Sequence, residues 1–313
     1  MKEAPEVVVL CGGISEEREV SLRSGAAVAS ALEGNRCSVT NVTLDTPALP
    51  EEIRGTKQIV FPVLHGAFGE DGTLQFMLEE EGIEYAGSDA QASALCMDKP
   101  RAKQVVADSG VSVLPQWIVQ QDDLPDAAEV VADLGEYLLV KPANGGSSIG
   151  VECLQGQAAL EAKWKSLGRE KWLIEPLFRG RELSIGMLGG TPLSIVEIQT
   201  GEALYDYKHK YEKGGTEYLV PAPLKDAIRE KIIECAQSAY GACQCRDFAR
   251  IDFLYNEDRD TTIFLEINTI PGLTENSLMP KSAAASGLTY EQLCLHMIQP
   301  ALLRFEADQN LQE

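Results

Sequence analysis

Three short apolar runs in the first part of the chain predict buried strands, at residues 6–10, 37–44 and 59–64. The first run is followed by two glycines and by an amphipathic segment that predicts a helix ending near Gly34. Strands that alternate with helices are typical of an α/β fold with an open parallel sheet. In such a sheet the ligand sites lie in loops at the carboxyl ends of the strands.

Two polar loops follow predicted strands and are therefore candidate ligand loops, at residues 12–17 and 65–72. The second begins with His65 and ends at Asp71 and Gly72. Thr73 is predicted to cap the next helix, which ends near Glu81. Glu17 starts the first helix, where its carboxylate is favoured by the helix dipole or could hold a substrate ammonium group. His65 could bind substrate or satisfy a backbone group at a strand end.

The middle of the chain predicts a helix, a hairpin and a further strand. Asp98 is a suitable N-cap for a helix that ends at Gly110, because Pro100 is tolerated in the first turn. Residues 137–141 predict a strand that enters a Gly/Ser-rich loop, and residues 151–154 resume an extended pattern, so the two strands form a hairpin that could fold over a ligand. Residues 172–178 predict a strand with Glu175 at its polar end.

The last third of the chain predicts an antiparallel pair of strands, a long loop and a helix, at residues 182–188 with 193–199, 200–223 and 224–240. A polar loop of this length is functional or disordered. We therefore divide the chain into an N-terminal part, a central part with the Gly/Ser loop and a C-terminal part, at residues 1–96, 97–181 and 182–313.

Two further predicted strands, residues 250–255 and 261–268, place polar side chains on one face each. Alternate residues of a strand share a face, so Arg250 lies beside Asp252, and Glu266 lies beside Asn268. Two carboxylates, an amide oxygen and a guanidinium suit magnesium together with phosphate. A solvated sheet face with ordinary ion pairs is the alternative interpretation.

The glycine-rich segments match no common nucleotide motif. The loop at residues 143–150 could hold phosphate with its backbone amides, or could be a flexible turn, but its lysine precedes the loop, which disfavours a Walker ATPase. Gly12 and Gly13 do not form a G-x-G-x-x-G pattern, which weakens a dinucleotide interpretation.

Composition and charge exclude several classes of protein. The 313 residues include 48 Asp and Glu but 27 Lys and Arg, a formal net charge of −21. A surface of this charge repels nucleic-acid backbones and anionic lipid. An apolar fraction of 44% and a charged fraction of 24% are typical of folded globular proteins. We therefore expect small-molecule partners, no nucleic acid and no membrane.

The cysteines and the hydropathy indicate a cytoplasmic protein. Eight cysteines are spread along the chain, and the close pair Cys243 and Cys245 is one residue too tight for a C-x-x-C metal clip. No stretch approaches the roughly 18 apolar residues of a membrane span, and the N-terminus has no basic leader. Reduced, buried thiols are the simplest interpretation.

Taken in order, the polar segments from about Val7 to Ala301 resemble the D-alanine–D-alanine ligases of the ATP-grasp superfamily. The motifs that carry the resemblance are residues 12–21, Leu64-His65-Gly66, Gly69-Glu70-Asp71-Gly72-Thr73, Met97-Asp98-Lys99, Lys141-Pro142, Gly146-Ser147-Ser148, Tyr205-Asp206-Tyr207, Lys210-Tyr211, Arg250-Ile251-Asp252, Glu266-Ile267-Asn268-Thr269, Pro271-Gly272-Leu273-Thr274 and Ser277-Leu278.

The resemblance implies a three-domain ATP-grasp enzyme, with a substrate-binding N-terminal domain and a catalytic C-terminal domain, that phosphorylates the carboxylate of one D-alanine with ATP. The amine of a second D-alanine then attacks the acyl phosphate, giving a dipeptide for peptidoglycan synthesis, ADP and phosphate. It implies two Mg²⁺ or Mn²⁺ ions per site, carried by Asp252, Glu266 and Asn268. It also implies nucleotide contacts from Lys99, Lys141, Ser147, Ser148, Glu175, Phe178, Glu182 and Lys210.

The same resemblance implies roles around the substrates. Glu17 would hold the first D-alanine ammonium with help from Ser147 and Tyr211, and His65 would lie close to both substrates. Arg250 and the Gly272 amide would stabilise the tetrahedral oxyanion. Lys210, Ser277 and the Leu278 amide would bind phosphate or the carboxylate of the second substrate. Pro176 departs from the family pattern, which includes lysine at the adenine edge.

Three functions remain open at this point: a D-alanine–D-alanine ligase, a related ATP-grasp ligase that uses D-lactate or D-serine as second substrate, and a non-catalytic nucleotide-binding regulator. The intact acidic set with Arg250 disfavours the regulator, and Lys210-Tyr211 resembles the D-alanine-using members. The resemblance also implies a homodimer.

Overall fold

The structure is a computed structural model that describes residues 6–34, 37–54, 58–144, 150–200 and 216–312. In these residues the chain forms three β-sheets with helices packed against them, which confirms the predicted α/β class. No helix in the described ranges is both long and apolar enough to cross a membrane.

A parallel sheet of order β2-β1-β3 forms the N-terminal part, as the alternation of strands and helices predicted. Its central strand is buried from Val7 onwards, which explains why that strand is apolar on both faces. The elements of this part are β1 (Glu6–Gly12), α1 (Arg18–Glu33), β2 (Ser38–Leu44), a 3₁₀ turn (Glu51–Ile53), β3 (Ile59–Pro62), α2 (Thr73–Glu80) and α3 (Ala90–Met97).

Helix α1 lies unusually close to β1 because Gly25 faces Cys11. A Cβ added at Gly25 would lie 2.6 Å from the Cys11 Cβ and 2.9 Å from its Sγ. Ser21 of the same helix accepts a hydrogen bond from the Gly12 amide (2.9 Å) and donates one to the Val63 carbonyl (2.6 Å). The helix therefore fixes the ends of both strands from which the two candidate ligand loops leave.

An antiparallel sheet of order β4-β7-β5-β6 forms the middle of the chain. The predicted hairpin is present as β5 and β6. As predicted, Asp98 is the N-cap of the helix that begins at Lys99, and its side chain accepts a hydrogen bond from the Arg101 amide (3.1 Å). The elements are α4 (Lys99–Asp108), β4 (Trp117–Val119), α5 (Ala127–Leu134), β5 (Tyr137–Pro142), β6 (Glu152–Gln155), α6 (Gly156–Trp164) and β7 (Trp172–Pro176).

A second antiparallel sheet, of order β10-β9-β8-β11-β12, completes the chain. Its buried aliphatic and aromatic residues share one core with helices α4 and α7. The elements are β8 (Arg181–Leu188), β9 (Thr191–Thr200), β10 (Thr216–Leu219), α7 (Asp226–Ala242), β11 (Phe248–Asn256), β12 (Thr261–Asn268), α8 (Leu278–Ala285) and α9 (Tyr290–Gln312).

The C-terminal helix α9 returns to the N-terminal sheet and packs in one core with residues of β1, α1 and β3. Arg304 of this helix donates to both Asp247 oxygens (2.7 and 2.8 Å) and to Glu84 (2.8 Å). Asp247 in turn accepts from the Gly87 amide (2.9 Å). These contacts hold the parallel sheet against the start of β11.

Three local predictions need correction. Thr73 is the first residue of α2 and not its cap: the preceding Gly72 has a φ of 87°, and Asp71 accepts from the Thr73 amide (3.0 Å). Part of the segment predicted as a loop at 200–223 is strand β10, which pairs with β9; residues 201–215 lie outside the described residues. Glu175 lies within β7 and is fully buried, not at a polar end.

The close approach of α1 and β1 makes Gly25 intolerant of substitution. We expect Gly25→Ala to lower the free energy of unfolding by about 1–3 kcal/mol, because the new methyl overlaps Cys11. Urea denaturation measures the change. Gly34→Ala is the matched control at the end of the same helix, because its nearest neighbours would lie 3.6 Å from the new Cβ. Equal stability of both variants would show that the helix does not need the glycine.

Candidate active site

The polar faces of β11 and β12 converge, as the alternation of their residues predicted. Arg250 pairs with Asn268 in register, and Asp252 pairs with Glu266. The Arg250 guanidinium forms a two-point ion pair with Asp252, Nε to Oδ1 at 3.0 Å and Nη2 to Oδ2 at 2.8 Å. Ser184 Oγ of β8 donates to Asp252 Oδ1 (2.6 Å). The guanidinium is therefore held in one plane on a buried face.

The start of helix α4 brings a lysine to this acidic face. Lys99 Nζ lies 3.6 Å from Glu266 Oε2, and the Lys99 amide donates to the Ala143 carbonyl (3.4 Å). Asp98 forms an isolated bridge with Asn144. The helix start thus joins the last strand of one antiparallel sheet to the end of β5 in the other.

Behind Lys99, two buried lysines share one buried carboxylate. Lys141 Nζ lies 2.7 Å from Glu175 Oε2, and Lys103 forms an ion pair with the other Glu175 oxygen. Burial lowers the pKa of both lysines, and a neighbouring lysine charge acts in the same direction on each. When both lysines are protonated, two cations and one anion leave a net charge of +1, which favours an anionic ligand.

Lys103 was missed by the sequence analysis, although a signal was available. Lys99 and Lys103 are four residues apart on α4, so their side chains lie on one face of the helix. The side chain of Lys103 is 1% exposed. A lysine is rarely buried to that extent unless it is paired, so its burial could not be read from its residue type.

His65 lies at the loop after β3 and faces the end of β12. Its Nδ1 is 3.1 Å from the Ile270 carbonyl oxygen, whereas its buried Nε2 has no hydrogen-bond partner within the described part of the chain. Burial lowers the pKa of His65, and the nearby carboxylate of Glu17 opposes that shift. A neutral imidazole with one unpaired nitrogen is suited to a polar ligand group.

Glu70 belongs to the same loop, and the sequence analysis assigned it no role. Its Oε2 accepts from the Gly66 amide (2.6 Å). Burial raises the pKa of Glu70 to about 8, with a further increase from Glu17, whereas the hydrogen bond from Gly66 and the charge of Arg250 lower it. Glu70 is therefore largely a neutral acid at pH 7 without ligand. The burial of this loop carboxyl arises from packing between distant segments, so the local sequence does not predict it.

The segment after β12 supplies backbone groups to the site. A Cβ at Gly272 would lie 2.9 Å from Ser277 Oγ, so a side chain at this position would displace the Ser277 hydroxyl. Ser277 Oγ accepts from the Thr274 amide (3.1 Å), and Leu278 is the first residue of α8. The first amides of a helix have no acceptor within the helix and favour anions.

The remaining predicted residues fall into three groups. Glu17 directly precedes α1, and its charge acts on both His65 and Glu70, which places it beside them. Phe178 lies in the connection between β7 and β8, and Glu182 is the second residue of β8, where it pairs with Leu254 of β11. Outside the described residues lie Ser147, Ser148, Lys210 and Tyr211.

A cavity opens where these elements meet, and its lining includes Glu70, Cys96, Met97, Lys99, Glu266, Ile267, Asn268 and Thr269. Within the described ranges no group of three His, Cys, Asp or Glu side chains is placed to hold a metal by itself. Asp252, Glu266 and Asn268 offer two carboxylates and an amide oxygen, which are hard ligands that fit Mg²⁺ if phosphate oxygens complete the set.

Comparison with known proteins gives one consistent family. The family models described as D-ala D-ala ligase N-terminus and C-terminus match residues 45–88 and 105–299. A D-alanine–D-alanine ligase from Desulforudis audaxviator is 39% identical over 300 residues, which cover 94% of this chain and 97% of that protein.

Solved structures agree with the sequence relatives. The D-alanine–D-alanine ligase of Bacillus anthracis complexed with ATP superimposes with a TM-score of 0.85 at 29% identity and covers 97% of this chain and 99% of that one. The VanG D-Ala:D-Ser ligase of Enterococcus faecalis has a TM-score of 0.83 at 28% identity, with 95% and 99% coverage.

The raised pKa of Glu70 makes stability depend on pH. A carboxyl whose pKa is higher in the folded than in the unfolded state stabilises the fold below the unfolded pKa of 4.5 and loses that contribution as pH rises to about 8. We expect the wild type to lose up to about 1.4 kcal/mol per pH unit relative to Glu70→Gln across this window. Urea denaturation at pH 5, 6, 7 and 8 measures the difference.

The control for this experiment is Glu80→Gln, which removes an exposed carboxylate from the neighbouring helix α2. It should follow the wild-type pH profile. Parallel profiles for the wild type and Glu70→Gln would show that Glu70 titrates as an ordinary carboxyl.

Proposed function

This chain belongs to the D-alanine–D-alanine ligase family, and from that membership we infer that it is an ADP-forming enzyme that joins two D-alanines with ATP. The dipeptide serves cell-wall synthesis. The observation that carries this function is the register of β11 and β12, which brings Arg250, Asp252, Glu266 and Asn268 together beside Lys99. A regulator that only binds nucleotide would not need this set.

We propose that the triphosphate lies across the start of α4 and the end of β5. Lys99 and Lys141 then contact phosphate oxygens, and the buried charge of +1 around Glu175 is neutralised by the nucleotide. Asp252, Glu266 and Asn268 would hold two Mg²⁺ or Mn²⁺ ions, and phosphate oxygens of the nucleotide would complete the ligands of these ions. The metal supplies charge neutralisation on the transferred phosphoryl group when it is bound.

The adenosine end would reach the β7–β8 connection. Phe178 is half-buried there and could pack against adenine, and Glu182 at the start of β8 could accept from ribose hydroxyls. Glu175 is enclosed by lysines, so its contribution is to orient Lys141 as well as to border the base. Ser147, Ser148 and Lys210 complete the proposed nucleotide contacts.

The first D-alanine would bind at the two loops of the parallel sheet. Its ammonium group meets the Glu17 carboxylate, and His65 Nε2 gains the polar partner that it lacks in the described chain. The arriving cation also favours ionisation of Glu70, because an opposite charge nearby lowers a carboxyl pKa. Ser147 and Tyr211 are the further proposed members of this subsite.

The attack of the second amine on the acyl phosphate places negative charge on the former carboxylate oxygen. Arg250, which Asp252 holds in plane, and the Gly272 amide would stabilise that oxyanion. Ser277 and the Leu278 amide at the start of α8 would receive the carboxylate of the second substrate, with Lys210.

The wider organisation is also proposed. We retain the division into residues 1–96, 97–181 and 182–313, with a closing loop within 200–223, and a homodimer in the cytoplasm. The ligands are small molecules, and the net charge of −21 argues against nucleic acid.

The mechanism predicts the fate of one oxygen atom. With D-alanine labelled by oxygen-18 in its carboxylate, we expect label in inorganic phosphate and equal amounts of ADP, phosphate and dipeptide, because the acyl phosphate transfers that oxygen. Mass spectrometry of phosphate measures it. D-lactate or D-serine supplied with D-alanine should give little mixed product. Release of AMP and pyrophosphate would contradict phosphoryl transfer.

The acidic pair predicts a separate effect on metal use. Glu266→Gln keeps the shape of the side chain but removes its charge, so we expect half-maximal turnover to need at least about tenfold more Mg²⁺, with little loss of stability. Phosphate release over a Mg²⁺ titration measures this. Asp258→Asn, in the exposed turn between the same strands, is the control. An unchanged titration in Glu266→Gln would remove Glu266 from the metal site.

A further inference from the structure

Three cysteines that the proposed mechanism does not use meet in the interior of the protein. Cys96 is near the end of α3, and Cys243 and Cys245 follow α7. The Cys96 and Cys245 sulfur atoms are 3.7 Å apart, and all three side chains are buried. They are 147 and 149 residues apart in the chain, so only the fold brings them together.

The three thiols interact as a group. The contacts of Cys96 with Cys243 and Cys245 raise the pKa of Cys96, and its contact with Cys243 lowers the pKa of Cys243. Cys96 therefore keeps its proton and donates toward Cys243. The thiols therefore lie close enough for one of them to attack another once that one has been oxidised.

The cluster is in direct connection with the proposed active site. Cys96 lines the same cavity as Lys99 and Glu266, so the thiol cluster borders the space that a small solute would enter. Asp98, two residues further, caps the helix that presents Lys99. Helix α4 also packs against β12, which carries Glu266. A movement at the end of α3 would therefore reach the lysine and the acidic pair.

We propose that Cys96 and the Cys243–Cys245 pair form a redox-sensitive site, in which a peroxide converts Cys96 and one of the paired cysteines into a disulfide that slows the enzyme. A sulfur–sulfur contact of 3.7 Å requires only a small approach and side-chain rotation to reach the bond length of about 2.05 Å. Catalytic or sensing disulfides of this kind are the ones found in reducing compartments.

The chemistry balances with the peroxide as oxidant. A cluster thiolate attacks one peroxide oxygen, the O–O bond breaks, and the products are a sulfenic acid and hydroxide, which takes a proton to become water. The neighbouring thiol then attacks the sulfenic sulfur, forms the S–S bond and releases a second water. Two thiols lose two electrons and two protons, and one peroxide is reduced to two waters.

Peptide mapping tests the bond without reference to activity. The whole protein is treated with hydrogen peroxide, free thiols are blocked, and trypsin digestion follows without reductant. We expect residues 58–101, whose only cysteine is Cys96, to be linked to residues 232–246. Cys243→Ala and Cys245→Ala identify the partner, and the link must disappear in Cys96→Ala. A link through Cys235, or no link, would overturn the proposal.

Activity then tests the consequence, and this arm rests on the proposed function. Peroxide-treated wild type should lose at least about tenfold in phosphate release with ATP and D-alanine, and a dithiol reductant should restore it. The variant that lacks the partner cysteine should resist. Cys153→Ala, which removes an exposed thiol on β6, should remain sensitive. A linked enzyme with full activity would overturn the switch, whereas no D-alanine-dependent turnover before oxidation would contradict the proposed function instead.

Discussion

The ion pair between Arg250 and Asp252 is the constraint on which the candidate site depends. It joins two residues of one strand, and the register of β11 with β12 places Glu266 and Asn268 opposite them. The register shifts directly after Asp252, at a β-bulge that leaves an extra residue on β12. Bulges change the direction of side chains next to active sites. The polar pairs before the bulge can therefore face the site while the apolar residues after it pack into the core.

Helix α4 connects this face to the buried lysines. Its first residue is Lys99, which contacts Glu266, and one turn later Lys103 reaches Glu175 in the neighbouring sheet. Burying three charges costs free energy, and breaking one partner of such a cluster is strongly destabilising. The cluster of Lys103, Lys141 and Glu175 would therefore be stabilised by a bound anion. It also links the central antiparallel sheet to helix α4, which contacts the other antiparallel sheet through Lys99.

The parallel sheet is fixed to the same site by backbone and side-chain contacts across long sequence distances. His65 meets the Ile270 carbonyl, and Ser24 of α1 accepts from the Leu273 amide (3.3 Å). Arg304 and Asp247 close the opposite side. The segment that follows β12 thus anchors the loops that carry Glu17, His65 and Glu70.

The sequence by itself determined the local elements and most of the chemistry. Apolar runs located β1, β5 and β11, Asp98 marked a helix start, and the alternation in β11 and β12 put Arg250 and Glu266 on converging faces, because strand geometry fixes which residues share a side. The ordered motifs identified the family. The caps of α2 and strand β10 were mispredicted, since short polar segments carry weak periodic signals.

Only the tertiary structure decided which ionisable groups lose water. Glu70, Lys103 and Glu175 have residue types that are normally exposed, and no local pattern distinguishes them from surface charges. Burial arises when distant elements pack, and it raises the pKa of Glu70, lowers that of His65 and brings Cys96 to Cys245. Desolvation depends on the three-dimensional surroundings of a group, which neighbouring residues in the chain do not specify.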